Sequence, residues 1–451
     1  AASVFQTAIE TIRGLRGGRL VVVTRGVAGG GAGQALGQSI LWGLATTAAL
    51  ERPEVQIRRV DLDPLDPDPA ASILAELGAG EEPLVRLRGG RREEGRLARR
   101  PRRRSPPPDL AGECWLVTGG TGALGLALAG WLKERGVRRV VLAARGAPAG
   151  IPGGIEFRSA DVADLAAVQR LVASIPDLTA VAHVAGVLDD ALIADADAAR
   201  TARIFGPKVS GAWNLHVATG GLPLTRFVLF GSASAVHGSP GQAAYAAANA
   251  FLDALAHHRR AAGLPALAVD WGPWAGGGMA ASSPTLERRL AAQGFAFLEP
   301  GSALEILGDL LGQERVQVAV VARSVHLAEA APDRGELRAA LEAARPEERR
   351  RVLLDRLSTE IRRVLGLTPD VPVSTRRGFL DMGMDSLLAI DLRNRLQIAL
   401  GIPVAATIAM DHPDLESLAD HLLVEALGLA APAAPPAPAD ELDRLGIDDL
   451  E

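Results

Sequence analysis

One stretch, ECWLVTGGTGALGLALAGWLKERGVRRVVLAARG over residues 113–146, limits the fold more than any other. An apolar run turns on closely spaced glycines into a helical pattern, and a second apolar run follows. Two strands joined through a helix pair in parallel, because only a long crossover returns the chain to its starting edge. The alternation continues through IEFRSADVAD, AVQRLVASI, LTAVAHVAG, FVLFGSAS, YAAANAFLDALAHHRRAAG and PALAVDWGPW. Residues 109–328 are therefore expected to form an α/β domain with a doubly wound, Rossmann-like parallel sheet. A weaker copy of the pattern precedes it: LVVVTRGV, GQSILWGLATTAALER, VQIRRVDL, AASILAEL and PLVRLRGG read as strand, helix, strand, helix and strand. Its first turn, TRGVAGGGAGQALG, shows no phosphate-binding arrangement, so residues 1–108 are expected to be a truncated Rossmann-like structural subdomain.

At 451 residues the chain exceeds one ordinary core. The charged, helix-prone residues 329–350 read as a linker, residues 351–428 as a small helical-bundle domain, and residues 429–451 as a flexible Ala/Pro-rich tail. Nine arginines in RGGRREEGRLARRPRRR, residues 88–104, resemble a nucleic-acid footprint, but no aromatic residues are interleaved for stacking. Two glutamates and the following SPPPD point instead to a solvated edge strand and linker, and a net charge of −5 favours no strongly anionic partner. The single cysteine, Cys114, has no partner for an internal disulfide and reads as a buried strand residue. The eight histidines lack metal-ligand spacing, so no metal is assigned. There is no signal peptide and no apolar run of about 18 residues, so a cytoplasmic protein without membrane or nucleic-acid partners is expected. The chain opens inside a helical pattern, SVFQTAIETIRGL, as an excised part of something larger would.

The glycine turn sets Gly119, Thr121, Gly122 and Leu124 between a strand and a helix, where backbone amides can approach a pyrophosphate. The second strand ends without an Asp or Glu for a ribose hydroxyl but with Arg145, a cation that favours the extra phosphate of NADPH. Asp161 and Val162 end the next strand, where an adenine edge can be held. Two lysines, Lys133 and Lys208, and one tyrosine, Tyr245, occur in the whole chain. A phenol with an ordinary pKa of about 10 is a poor acid near neutrality unless a cation favours its phenolate, so Tyr245 needs a lysine. Tyr245 and Asn249 are four apart and share a helix face, with Lys208 and Ser232 preceding them.

The glycine turn, the order Lys208, Ser232, Tyr245, Asn249, and the motif DWGPWA make residues 110–325 similar to the short-chain dehydrogenase/reductase superfamily. Specifically, they resemble the ketoreductase domain of a modular polyketide synthase. The resemblance implies that Tyr245 protonates a ketone oxygen, Ser232 hydrogen-bonds it, and Lys208 lowers the phenol pKa and holds the nicotinamide ribose. Asn249 would support the proton relay, and NADPH would deliver hydride to the carbonyl carbon. Leu188, Asp189 and Asp190 match the motif of B-type enzymes, which give the D-configured alcohol. His237 stands where A-type enzymes carry tryptophan, and Ala247 is not the proline of epimerising B-type domains, so a non-epimerising B-type reductase is implied. WAGGGMAASSPTLERRLAAQGF resembles the family's substrate lid. The structural half-domain is shorter than the family's usual N-terminal portion, which leaves open whether part of it lies outside this chain.

LLDRLSTEIRRVLG, DSLLAIDLRNRLQIALG and DLESLADHLLVEAL read as three amphipathic helices, with Leu388, Leu392 and Leu396 on one stripe. Ser386 opens the second helix with no local base, and by itself reads as a helix cap. FLDMGMDSLLAIDLRNRL, however, closely resembles the acyl carrier protein signature, which implies a covalent 4'-phosphopantetheine on Ser386, added by a phosphopantetheinyl transferase. The implied function is NADPH-dependent reduction of a β-ketoacyl thioester tethered to the carrier. The absence of ketosynthase, acyltransferase and dehydratase motifs assigns chain extension to other synthase domains in cis or trans. Two rivals stand beside this reading: a carrier with a structural, non-reducing Rossmann domain, and a reductase of a free small-molecule ketone.

Overall fold

The computed structural model describes residues 1–28, 33–79, 82–98, 100–106, 108–147, 150–151, 153–276, 295–323, 335–365, 367, 371–384, 386–402, 404–405 and 407–429. They fall into two compact units, Ala1–Glu329 and Ala330–Glu451. No helix among the described residues is long and apolar enough to cross a membrane. Residues 277–294 of the expected lid, Asp385 and the tail beyond 429 lie outside the described residues.

The first unit opens with α1 (Ala2–Gly14), β1 (Gly18–Arg25), α2 (Gly33–Glu51), β2 (Val55–Leu62), α3 (Pro69–Gly78), β3 (Leu84–Arg88) and β4 (Arg91–Glu94). Strands β1, β2 and β3 pair in parallel, and β4 returns antiparallel along β3 as the edge. The arginine-rich run thus supplies that edge strand, where Arg92 pairs with Glu76, Glu82 and Glu94. The turn after β1 is filled from within. The buried Asp61 carboxylate accepts hydrogen bonds from the backbone N–H groups of Val27 at 3.0 Å and Ala28 at 2.9 Å and from the Thr24 hydroxyl at 2.7 Å, and it pairs with Arg88. An acid of the protein itself thus takes the first amides of that turn.

The chain continues through β5 (Cys114–Thr118), α4 (Ala123–Glu134), β6 (Arg139–Ala144), β7 (Glu156–Ser159), α5 (Leu165–Ala173), β8 (Ala180–His183), α6 (Ala198–Phe205) and α7 (Gly211–Ala218). A π-helical turn, Gly206–Ser210, joins the last two. Then come β9 (Arg226–Ser232), α8 (Ser234–His237), α9 (Ala243–Ala261), β10 (Leu267–Trp271), β11 (Phe295–Ala296), α10 (Pro300–Leu311), β12 (Gln317–Val320) and β13 (Ala322–Arg323). Seven parallel strands lie in the order β12-β10-β9-β8-β5-β6-β7, the doubly wound sheet the alternation predicts.

One face of this sheet packs on α4 and α10, and the other on helices that include α9. The first half-domain has no separate core on that second side: Phe5, Ile9, Ile40 and Leu44 belong to the same apolar cluster as Val181, Leu229, Ala247 and Leu252. Phe5 meets Phe205 edge to face, with ring centroids 5.2 Å apart. Helix α2 is apolar nearly all round, the pattern of a helix buried on both sides, and it lies against α9.

The second unit is helical. Helices Pro346–Leu365, Ser386–Leu400 and Leu415–His421 enclose a core in which Leu388, Leu392 and Leu396 are fully buried, the stripe expected from their spacing. Asp414 caps the last helix, accepting from the Ser417 N–H at 2.8 Å, while the Ser417 hydroxyl accepts from the Asp414 N–H. Residues 336–350, read as a linker, differ from that reading. Glu336–Ala343 is a helix whose Leu337 and Leu341 enter the bundle core, with the charges that suggested a connector on its other face.

Candidate active site

The order of the large sheet reverses between β5 and β8, where Thr118 stands opposite His183. Ligands of such sheets bind at that reversal, beyond the C-terminal ends of the strands. The turn leaving β5 is built on close approach. At Gly119, with φ +69°, a Cβ would lie 2.6 Å from the Ala185 nitrogen, and at Gly125 one would lie 2.5 Å from the Gly119 oxygen. Gly122 precedes α4 as an exposed cap without a side-chain hydrogen bond, so the first amides of the helix face open space. Thr121 and Leu124 flank it, both half-buried. Backbone amides at such a turn could hold a pyrophosphate.

Arg145 follows β6, exposed and with no side-chain partner among the described residues. In the loop after β7, Asp161 accepts from the Ala163 N–H at 2.9 Å, and the Val162 carbonyl accepts from the Asn214 amide at 2.9 Å. This fixes the rim facing the turn.

Ser232 ends β9, Tyr245 and Asn249 lie on α9, and Lys208 rises from the π-helical turn. The Lys208 ammonium donates to the Phe230 carbonyl at 2.9 Å and lies 5.5 Å from the Tyr245 ring centroid. Burial lowers the Lys208 pKa to about 8, against the pull of Asp270 and Asp253. Burial pushes the Tyr245 phenol up to about 12, while hydrogen bonding with Asn249 and Ser232 draws it back. Ser232 also accepts from the Ser234 hydroxyl at 3.0 Å. Asn249 donates to the Tyr245 carbonyl at 2.8 Å, and its side-chain oxygen is buried without a partner, an acceptor available to a water or ligand. The four residues named from sequence thus converge.

A small cleft lies between the loop after β8 and the start of α9, lined by Asp189, Asp190, Arg200, Gln242 and Tyr245 among others. Asp189 pairs with Arg200 and Arg203, and the Gln242 amide donates to both oxygens of Asp190, at 3.1 and 3.2 Å. Leu188 packs against the core beside them. His237 closes α8 with its ring on the Gly238 carbonyl, and Ala247 is buried in α9. Ser386 begins a helix of the second unit.

Three features escaped the sequence reading. Asp253 and Asp270 are buried behind Lys208, where burial raises both carboxyl pKa values and the Gln317 amide holds Asp270 at 2.9 Å. The spacing Tyr245, Asn249, Asp253 is the available signal, since three residues at intervals of four share one face. His183 ends an apolar strand, bonds Thr118 at 2.7 Å, and is driven by burial to a pKa of about 3, so it is neutral. Glu51 ends an apolar helix and reaches into the loops of the cleft.

Residues 114–276 match the family model described as KR domain, residues 355–422 that of a phosphopantetheine attachment site, and residues 2–97 that of the polyketide synthase extender module SpnB, Rossmann fold domain. A solved structure of A-type ketoreductases from a modular polyketide synthase is 37% identical, with a TM-score of 0.61 over 68% of this chain and 69% of that one. PlmKR1, the ketoreductase from the first module of phoslactomycin biosynthesis in Streptomyces sp. HK803, is 32% identical with a TM-score of 0.64 over 72% and 79%. Polyketide synthase GfsA of Streptomyces halstedii is 36% identical over 88% of this chain and 6% of its own length. Erythronolide synthase EryA3 of Saccharopolyspora erythraea is 35% identical over 91% and 14%. The chain therefore spans a small fraction of these curated relatives. It belongs to the modular polyketide synthases, as a ketoreductase joined to a phosphopantetheine carrier domain. That pairing implies reduction of β-ketoacyl groups with a nicotinamide cofactor.

Proposed function

We propose that the chain reduces a β-ketoacyl thioester, tethered to its own carrier domain, to the β-hydroxyacyl thioester with NADPH. The observation that carries this is the buried Lys208, held by the Phe230 carbonyl beside the Tyr245 ring at the reversal of the sheet. When bound, the cofactor supplies hydride to the carbonyl carbon. Tyr245 gives its proton to the carbonyl oxygen as charge grows there, and Ser232 donates a hydrogen bond to the same oxygen. The Lys208 cation offsets the phenolate left on Tyr245 and holds the nicotinamide ribose, and Asn249 accepts from the water that returns the proton. Gly119, Thr121, Gly122 and Leu124 hold the pyrophosphate, Asp161 and Val162 the adenine edge, and the free Arg145 guanidinium the 2'-phosphate, which favours NADPH over NADH.

Leu188, Asp189 and Asp190, with His237 and Ala247, support a B-type outcome, the D-alcohol without epimerisation. Similar solved structures include an A1-type and a C2-type enzyme, so overall likeness does not decide the stereochemistry. Ser386 receives the arm from coenzyme A through a phosphopantetheinyl transferase, and tethering raises the local substrate concentration. The ketosynthase and acyltransferase that supply the acyl chain are other domains of a cytoplasmic synthase.

The test is to load the carrier with a β-ketoacyl group, follow cofactor oxidation with NADPH and NADH, and resolve the released alcohols on a chiral column. D-alcohol formed with NADPH is expected. Cofactor binding without turnover sinks the enzyme reading, and an unmodified Ser386 sinks the tethering.

A further inference from the structure

We infer that Glu51, in the non-catalytic half-domain, is a positioning residue that sets the width and stereochemical sense of the ketone cleft. The inference rests on the reductase reading above. Glu51 is the last residue of α2, 5% exposed, and its two carboxylate oxygens serve two different loops. One accepts from the Ile193 N–H at 2.7 Å and the other from the Gly241 N–H at 2.8 Å. Ile193 follows Asp190 by three residues in the loop after β8, and Gly241 precedes Tyr245 by four. The same two loops meet at the mouth of the cleft, where the Ala191 N–H donates to the Gly241 carbonyl at 2.8 Å and Gln242 holds Asp190. Glu51 thus closes the back of a bracket whose front is the bridge between Ala191 and Gln242.

The choice of residue is informative. A negative charge at a helix C-terminus opposes the helix dipole, and a buried carboxylate is costly unless fully hydrogen-bonded. A carboxylate offers two acceptors to two N–H groups, and charge-assisted bonds of this kind are strong. A glutamine presents one acceptor and turns an N–H against the other donor. An aspartate is one methylene too short to span both loops. A second tether runs from α1, where Arg13 donates to the Ile193 carbonyl at 2.6 Å and to the Ala196 carbonyl. The loop after β8 has little regular structure of its own, so these contacts act with Arg200, Arg203 and Gln242 to place Asp189 and Asp190 relative to the Tyr245 hydroxyl. A shift of that wall changes which face of the ketone meets the hydride, while the cofactor turn at 119–125 is untouched.

The experiment compares the full chain with Glu51→Gln and Arg13→Ala. Two readouts are taken: hydrogen exchange of the peptides covering 186–196 and 238–243, which needs no activity, and reduction of a β-ketoacyl N-acetylcysteamine thioester. Glu51→Gln is expected to speed exchange in both peptides but not in 119–125. It should raise KM for the thioester about tenfold or more, increase the minor alcohol enantiomer, and leave NADPH affinity within about twofold. Arg13→Ala should act in the same direction on 186–196 alone, and it carries the test if Glu51→Gln does not fold. Unchanged exchange overturns the inference, as does an unchanged KM and enantiomer ratio, or a loss of kcat, KM and cofactor affinity together with a fall in Tm. A wild-type chain that exchanges as expected but reduces nothing removes the reductase reading and, with it, the stereochemical role.

Discussion

Gly43 of α2 faces the backbone of Ala246 in α9 so closely that a Cβ on residue 43 would overlap the Ala246 carbonyl. Ala246 follows Tyr245, so the first half-domain presses directly on the helix that carries the proposed proton donor. Backbone atoms cannot swing aside as a flexible side chain can. Gly43→Ala is therefore expected to cost about 1–3 kcal/mol and to lower kcat more than NADPH affinity. Thermal melts with steady-state kinetics check it, and a variant as stable and active as the parent would mean that the two helices are not held this tightly.

Tyr245→Phe keeps the buried ring and removes the proton. Reduction should fall by about 10²- to 10⁴-fold, with nicotinamide binding retained. Stopped-flow turnover beside fluorescence titration of the cofactor separates the two effects, and undiminished turnover would rule out the assigned role.

The burial of Lys208 predicts a pH limit. Its pKa of about 8 leaves the ammonium charged below that pH and neutral above it, so the rate should fall as pH rises through about 8. Stability should move the other way. Between about 8 and the ordinary lysine value of 10.5 the unfolded chain binds a proton that the folded site has released, so this group's contribution to stability rises with pH. Asp270→Asn removes a charge that holds the Lys208 pKa up, and should shift the alkaline limb of the rate profile to lower pH. A limb that stays in place would show that Lys208 does not report there.

Ser386→Ala should abolish the mass gain on treatment with coenzyme A and a phosphopantetheinyl transferase, yet leave reduction of a free thioester analogue unchanged. Mass spectrometry of the intact chain reads the first and cofactor absorbance the second. Modification persisting in the variant would place the arm elsewhere.

Much of this architecture is legible in the sequence because it is periodic. The seven-stranded sheet follows from apolar runs alternating with helical patterns, and the carrier bundle from Leu388, Leu392 and Leu396 at intervals of four. Lys208 and Tyr245 stand out because lysine and tyrosine are so rare here. What escapes is long-range and polar. Glu51 lies 142 residues from Ile193 and 190 from Gly241, and no local pattern links them. Leu337 and Leu341 were hidden by the charges around them in a stretch that reads as a connector, although their spacing of four marks a buried face.

Asp61 serves the turn of the first half-domain as a built-in anion. Two similar sheets in one chain would ordinarily suggest two equivalents of cofactor. Here the inward-turned carboxylate predicts one equivalent at saturation, taken by the larger sheet alone.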